Sequence, residues 1–229
     1  MKKSLIISLL ISLITIIIAG WFIMTTKGTI PTHWNVNGDV DSYGSPLYLL
    51  IFPVTSLLTT LLLYMVPQID PKGENIEKSG PLLPLTMILL TVLMLGIEVI
   101  IIRAVQGASI LDLITFIAGL LGILFITIGY YLPTVKQNYM MGIRTPWTLH
   151  SESVWQKTHQ VAKNWFIAVG LLFLVSLLFK EPFNLVIPMV FMALVLVGIL
   201  IYSYLLFQKE QVTKADQSAK KLIKKHTNK

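Results

Sequence analysis

The chain reads as an all-α integral membrane protein: a bundle of six transmembrane helices with both termini cytoplasmic, a structured first outer loop and an interfacial helix in the second inner loop. Three observations predict this. Of 229 residues, 55% are hydrophobic and only 13% charged, a balance foreign to a soluble domain of this size. Six apolar stretches approach or exceed the ~20 residues that cross a bilayer core as a helix, with every backbone polar group satisfied inside the segment. Lys and Arg are also unevenly shared between the connecting segments. With the N-terminus inside, Lys27, Arg103 and Lys180 are the three outer cations, and the other fifteen of 18 lie inside.

The first span covers 1–24. Met1-Lys2-Lys3 has the positive start of a signal peptide. Its apolar run, however, exceeds the ~7–15 residues of such a peptide, and Trp21-Phe22 stands where small residues would be needed for cleavage, so the span reads as retained. After an outer loop at 25–45 come the second span, 46–66, and an inner segment, 67–80, whose mixed charges and glycines read as a connector. The third span, 81–103, carries Glu98, the one acidic residue inside an apolar stretch. An ionisable residue at depth is a functional candidate. Its position five residues before Arg103 reads as a shallow carboxylate paired with Arg103, Lys180 or Lys27. A short outer loop, 104–112, leads to the fourth span, 113–132, where Ala118, Gly122 and Gly129 would let other helices approach closely and so place the span centrally. The second inner loop is 133–163, the fifth span 164–180 and the sixth 182–207, with Pro188 expected to kink the last. A basic tail at 208–229 holds most of the net charge of +7 and reads as a contact for anionic lipid headgroups rather than nucleic acid. The chain has no cysteine, which excludes disulfides, thiolate metal sites and cysteine nucleophiles.

Two loops hold more than a connection requires. In the outer loop, Asn37-Gly38 is a strong turn signal between short alternating runs, so a small hairpin is expected. Trp34 and Tyr43 suit the headgroup level, with His33, Asn35, Asp39 and Asp41 as polar neighbours. Asn35, Asn37, Asp39 and Asp41 alternate somewhat as calcium-loop ligands do, but the Gly and the distal Glu of such a loop are missing, and no metal is assigned. The loop reads either as a folded lid on the bundle or as a contact site for a ligand or peptide through His33, Trp34, Asn35, Asn37, Asp39, Asp41 and Tyr43.

The inner loop contains Gly142-Ile143-Arg144-Thr145-Pro146-Trp147-Thr148-Leu149. Thr148 is expected to cap a helix with Glu152 in its first turn. From there Val154, Trp155, Thr158, Ala162 and Trp165 recur at helical spacing, which suggests an interfacial helix feeding the fifth span. Gly142 and Pro146 hold Arg144 on a non-helical turn, where its guanidinium either clamps carbonyls at the ends of neighbouring helices, binds an anion or simply anchors the loop beside Trp147. No catalytic constellation is present, and the spacing of His150, Glu152 and His159 matches no zincin pattern.

The inner motif, continued by Glu152, Val154-Trp155 and Thr158-His159, resembles the signature of the SdpI family of bacterial membrane proteins. The outer Ile30-Pro31-Thr32-His33-Trp34-Asn35, with Asn37-Gly38 and Asp39 to Asp41, is similar to the N-terminal domain of unknown function that often accompanies it. The resemblance covers nearly the whole of 31–165, and the inner motif is the more specific. It implies toxin immunity: protection of a cell from a secreted, membrane-active killing peptide. It further implies an outer contact with that peptide and an inner contact with a winged-helix transcriptional repressor held at the membrane. No cofactor and no direct nucleic-acid binding is expected. A small exporter of amphipathic compounds is the alternative. A membrane enzyme is disfavoured, because His33, His150, His159 and His226 divide between the two sides of the membrane.

Overall fold

The structure is a computed structural model that describes residues 1–35, 39–108, 111–179 and 183–227. Asn37, the Asn37-Gly38 turn and Lys180 lie outside the described residues. The elements are α1 (Lys2–Thr25), β1 (Ile30–Trp34), β2 (Val40–Gly44), a 3-10 turn (Pro46–Leu50) running into α2 (Ile51–Ile69), the short α3 (Gly73–Glu77), α4 (Leu82–Val105), α5 (Leu111–Tyr131), α6 (Pro146–His150), α7 (Glu152–Ser176) and α8 (Phe183–Thr227). Six helical segments are long and apolar enough to cross a membrane.

The six pack as two triplets. α1, α2 and α4 form the first, α5, α7 and α8 the second, and α4 against α5 joins them. In lipid no hydrophobic force drives helices together, so small residues and hydroxyls occupy the contacts while large apolar side chains face outward. α1 follows this inverted pattern: Ser4, Ser8, Ser12, Thr15 and Ala19 are buried, whereas Ile6, Leu10 and Ile17 are exposed. Ser12 of α1 and Ser56 of α2 share a hydrogen bond of 2.7 Å.

Between α5 and α7 the contact is made by glycine. A Cβ on Gly170 would lie 2.6 Å from the Gly122 carbonyl oxygen, and one on Gly129 2.8 Å from the Lys163 carbonyl oxygen, so the two backbones touch. The small residues expected to centralise the fourth span therefore do so against the fifth.

Three local expectations are corrected. Ser151, not Thr148, caps the long helix: its Oγ accepts from the Val154 N–H at 3.3 Å. The helix that feeds the fifth span is continuous with it as α7 from Glu152, and its Val154, Trp155, Thr158 and Ala162 are buried in protein rather than laid on a surface. A stripe at helical spacing looks the same whether it faces a membrane surface or a helix bundle. Finally, α8 does not end at the charged tail. It runs on through Pro188 to Thr227, supported by pairs at i, i+4: Glu210–Lys214 at 2.5 Å and Asp216–Lys220 at 3.0 Å.

Candidate functional site

The residues singled out by sequence fall at opposite ends of the bundle. At one end β1 and β2 form the expected hairpin, antiparallel with two irregularities in register. Ile30 fixes it to the bundle, buried among Ala19, Phe22, Leu49 and Ile102. The Asn35 N–H donates to the Asp39 carbonyl at 2.9 Å, and the Asp39 N–H donates back to Asn35 Oδ1 at 3.0 Å, closing the strand ends. His33 Nδ1 meets Asp41 Oδ1 at 2.5 Å on the exposed face. Trp34 and Tyr43, with Pro31 and Tyr48, line a cavity of about 370 Å3 whose floor includes Ile101.

At the other end the inner loop forms a tightly bonded knot. Gly142 has φ +107°, and a Cβ there would lie 2.5 Å from His159 Nε2. That absence of a side chain lets the Ile143 N–H donate to His159 Nε2 at 3.1 Å. The other ring nitrogen, Nδ1, lies 2.8 Å from the Trp155 carbonyl, so the bonding is satisfied by a neutral imidazole carrying its proton on Nδ1. The Trp155 ring stacks on His159 with centroids 4.2 Å apart, and its Nε1–H donates to the Val135 carbonyl at 2.8 Å. Arg144 donates to the Tyr139 carbonyl of its own loop, not to a helix end. Thr145 caps α6 through a reciprocal pair with Thr148, and Pro146 takes the first helical position, where its missing N–H costs nothing.

The knot also reaches α8. Trp147 Nε1 donates to Ser203 Oγ at 2.6 Å, and its ring meets Tyr204 edge-on at 5.4 Å. Ser151 Oγ donates to Glu210 Oε2 at 2.8 Å. Glu152 is peripheral, exposed and 3.5 Å from Gln156 Nε2.

Residues 134–204 match the SdpI/YfhL protein family, and residues 10–57 match a domain of unknown function, DUF1648. The chain is thus similar to the SdpI family over its second inner loop and last two spans. It is 28% identical over 209 residues to the Immunity protein SdpI of Bacillus subtilis (strain 168), covering 91% of this chain and 98% of that protein. No solved structure matches the chain.

The SdpI-family segment thus begins inside the knot and ends on α8 at Tyr204, the partner of Trp147. The segment 67–80, read from sequence as a connector, also belongs to this knot. Asp70 accepts the Tyr139 N–H at 2.8 Å, and Asn75 Nδ2 donates to the Gln137 carbonyl at 2.7 Å. Lys72 Nζ donates to Gln137 Oε1 at 2.6 Å. Ser79 Oγ accepts the Lys136 N–H at 2.9 Å. Asn138, wholly buried, accepts from the Met140 and Met141 N–H groups.

Glu98 departs from its expected surroundings. It is wholly buried, and neither carboxylate oxygen has a hydrogen-bond partner among the described residues, while Arg103 is exposed. Among the described residues no group of three His, Asp or Glu side chains is placed to hold a metal ion.

Proposed function

We propose that the chain is a multi-pass immunity protein of the bacterial cytoplasmic membrane that protects its cell from a secreted killing peptide. The observation that carries this is the end-to-end likeness, over 209 residues, to a protein named for immunity. The work is non-enzymatic and needs no cofactor. Both termini are cytoplasmic in this reading, supported by the excess of inner Lys and Arg. The hairpin then faces outward and offers the peptide a wet, aromatic-walled cavity through Trp34 and Tyr43, flanked by His33, Asn35, Asp39 and Asp41. The knot faces inward, and the extension of α8 beyond the bilayer gives a transcriptional repressor a surface to dock on. A transporter is the second reading; it draws support from the line of buried hydroxyls in α1.

A killing assay in a sensitive strain, with and without this chain, tests the proposal. Expression should confer survival. Equal killing at verified membrane levels would reject immunity. A reporter after Lys229 should be cytoplasmic and one inserted at Gly38 external; an external C-terminus would invert every assignment of side.

A further inference from the structure

The buried stripe of α4 includes Met87, Thr91, Glu98 and Ile102. Contacts at two levels fix what lies beside Glu98. Thr91 Oγ1 donates to Ser8 Oγ of α1 at 3.4 Å, and farther along, Ile102 shares a buried cluster with Ala19 and Phe22 of α1. Both helices advance from the first level to the second with rising residue number, so α1 and α4 run parallel. Thr15, which follows Ser8 as Glu98 follows Thr91, therefore stands at the level of the carboxyl. On α2 the Ser12–Ser56 bond sets the level, and buried Pro53 lies one turn nearer the hairpin.

From this level the two directions differ. Toward the N-terminal end of α1 the buried lining is hydroxyl: Ser12 and Ser56, then Ser8, Thr60 and Thr91, then Ser4. Thr60 Oγ1 is itself buried without a partner among the described residues. Toward the hairpin the lining is apolar: Ala19, Phe22, Ile30, Leu49 and Ile102. No ionisable side chain on the buried faces of α1 or α2 meets Glu98, and α5 brings the Phe116 ring to neighbouring Gly96. Tyr48 is exposed at the hairpin end, and Tyr64 lies one turn beyond Thr60 at the other.

A carboxylate with no partner among the described residues is heavily penalised by desolvation inside a bilayer, a penalty that taking up a positive charge removes. A divalent cation asks for about six oxygen ligands, more than Glu98 and Thr15 supply. We propose that Glu98 is an intramembrane proton-binding site, reached from the α1 N-terminal end through the hydroxyl seam and sealed toward the hairpin. The step is simple: a proton from that side adds to one carboxylate oxygen and removes its charge. Successive α1 hydroxyls rise by ~6 Å, a gap that two hydrogen bonds through one water span. Glu98 lies outside both matched segments, and the proposal is independent of the immunity reading.

The test is infrared spectroscopy of the full chain in phosphatidylethanolamine–phosphatidylglycerol vesicles, which sees the carbonyl stretch of a protonated carboxyl apart from that of a carboxylate. The expected result is a band that Glu98→Gln deletes, that Glu98→Asp shifts, and that fades as pH rises. In Ser12→Ala/Thr60→Ala the band should keep its amplitude but exchange with deuterium several-fold more slowly. A band absent at every pH, one retained in Glu98→Gln, or one removed by sodium chloride at fixed pH overturns the proton site. Unchanged exchange in the double variant overturns the seam as its route.

Discussion

Gly142 shows how one residue decides the geometry of the inner motif. Its positive φ and the 2.5 Å that a Cβ would leave to His159 Nε2 mean that alanine must both strain the backbone and push the imidazole away. Gly142→Ala should cost about 1–3 kcal/mol and lower the melting temperature of the detergent-solubilised protein. An unchanged melt would mean that the loop does not need its bond from Ile143 to His159. Arg144, in contrast, is exposed, and its one described bond goes to the Tyr139 carbonyl. Arg144→Lys should weaken protection more than Lys157→Gln at equal membrane levels, because a point charge does not reproduce a planar fork. Equal and mild effects would return Arg144 to the role of anchor. That the turn of Gly142, Arg144 and Trp147 is more than a plain connector was legible in sequence, since Gly, Arg, Pro and Trp stand close together there. The importance of Asp70 and Ser79 was not. Each bonds to a residue more than fifty positions away, and nothing local marks a side chain whose partner arrives only on folding.

At the scale of elements, α8 is the piece that sequence described least well. At 45 residues it is about 68 Å long, more than twice the ~30 Å of a hydrocarbon core. The charge after Phe207 suggested an independent tail, but the spacing Glu210–Lys214 and Asp216–Lys220 was a helical signal already present in the sequence. Trp147 and Ser151 hold this helix to the knot, through Ser203 and Glu210. The bond from Trp147 to Ser203 should contribute about 0.5–1.5 kcal/mol. Trp147→Phe keeps the ring against Tyr204 and removes only the donor. On that background Ser203→Ala should add almost nothing to the loss of thermal stability, whereas each change alone should be felt. Additive losses would show that the two side chains act separately. That there are six spans was read correctly because hydropathy and length report the solvent. Which face of each helix turns inward was not, since in lipid the buried face is the one with hydroxyls and glycines rather than leucines.

Across the whole molecule, the two specialised ends are joined by packing alone. The hairpin rests through Ile30 on Leu49 and Ile102, α4 meets α5, and α5 lies against α7 at Gly122 and Gly170, with Trp155 and His159 further along α7 in the knot. A peptide that reaches the hairpin therefore meets both an aromatic wall and exposed polar groups. Trp34 lines the cavity and Asp41 stands on the exposed face, pairing with His33. A buried interfacial Trp commonly carries about 2 kcal/mol or more, so losing it should lower by about thirty-fold the peptide concentration that kills. Replacing Asp41 also removes the partner of His33, so a cationic peptide would lose a carboxylate and meet an unpaired ring. Trp34→Ala/Asp41→Ala should abolish protection while the protein stays in the membrane at its normal level, because neither side chain is part of the Ile30–Ile102 cluster that fixes the hairpin. Full protection by this variant would make the hairpin a structural lid, and the peptide would then have to be sought among the spans or at the Arg144 turn.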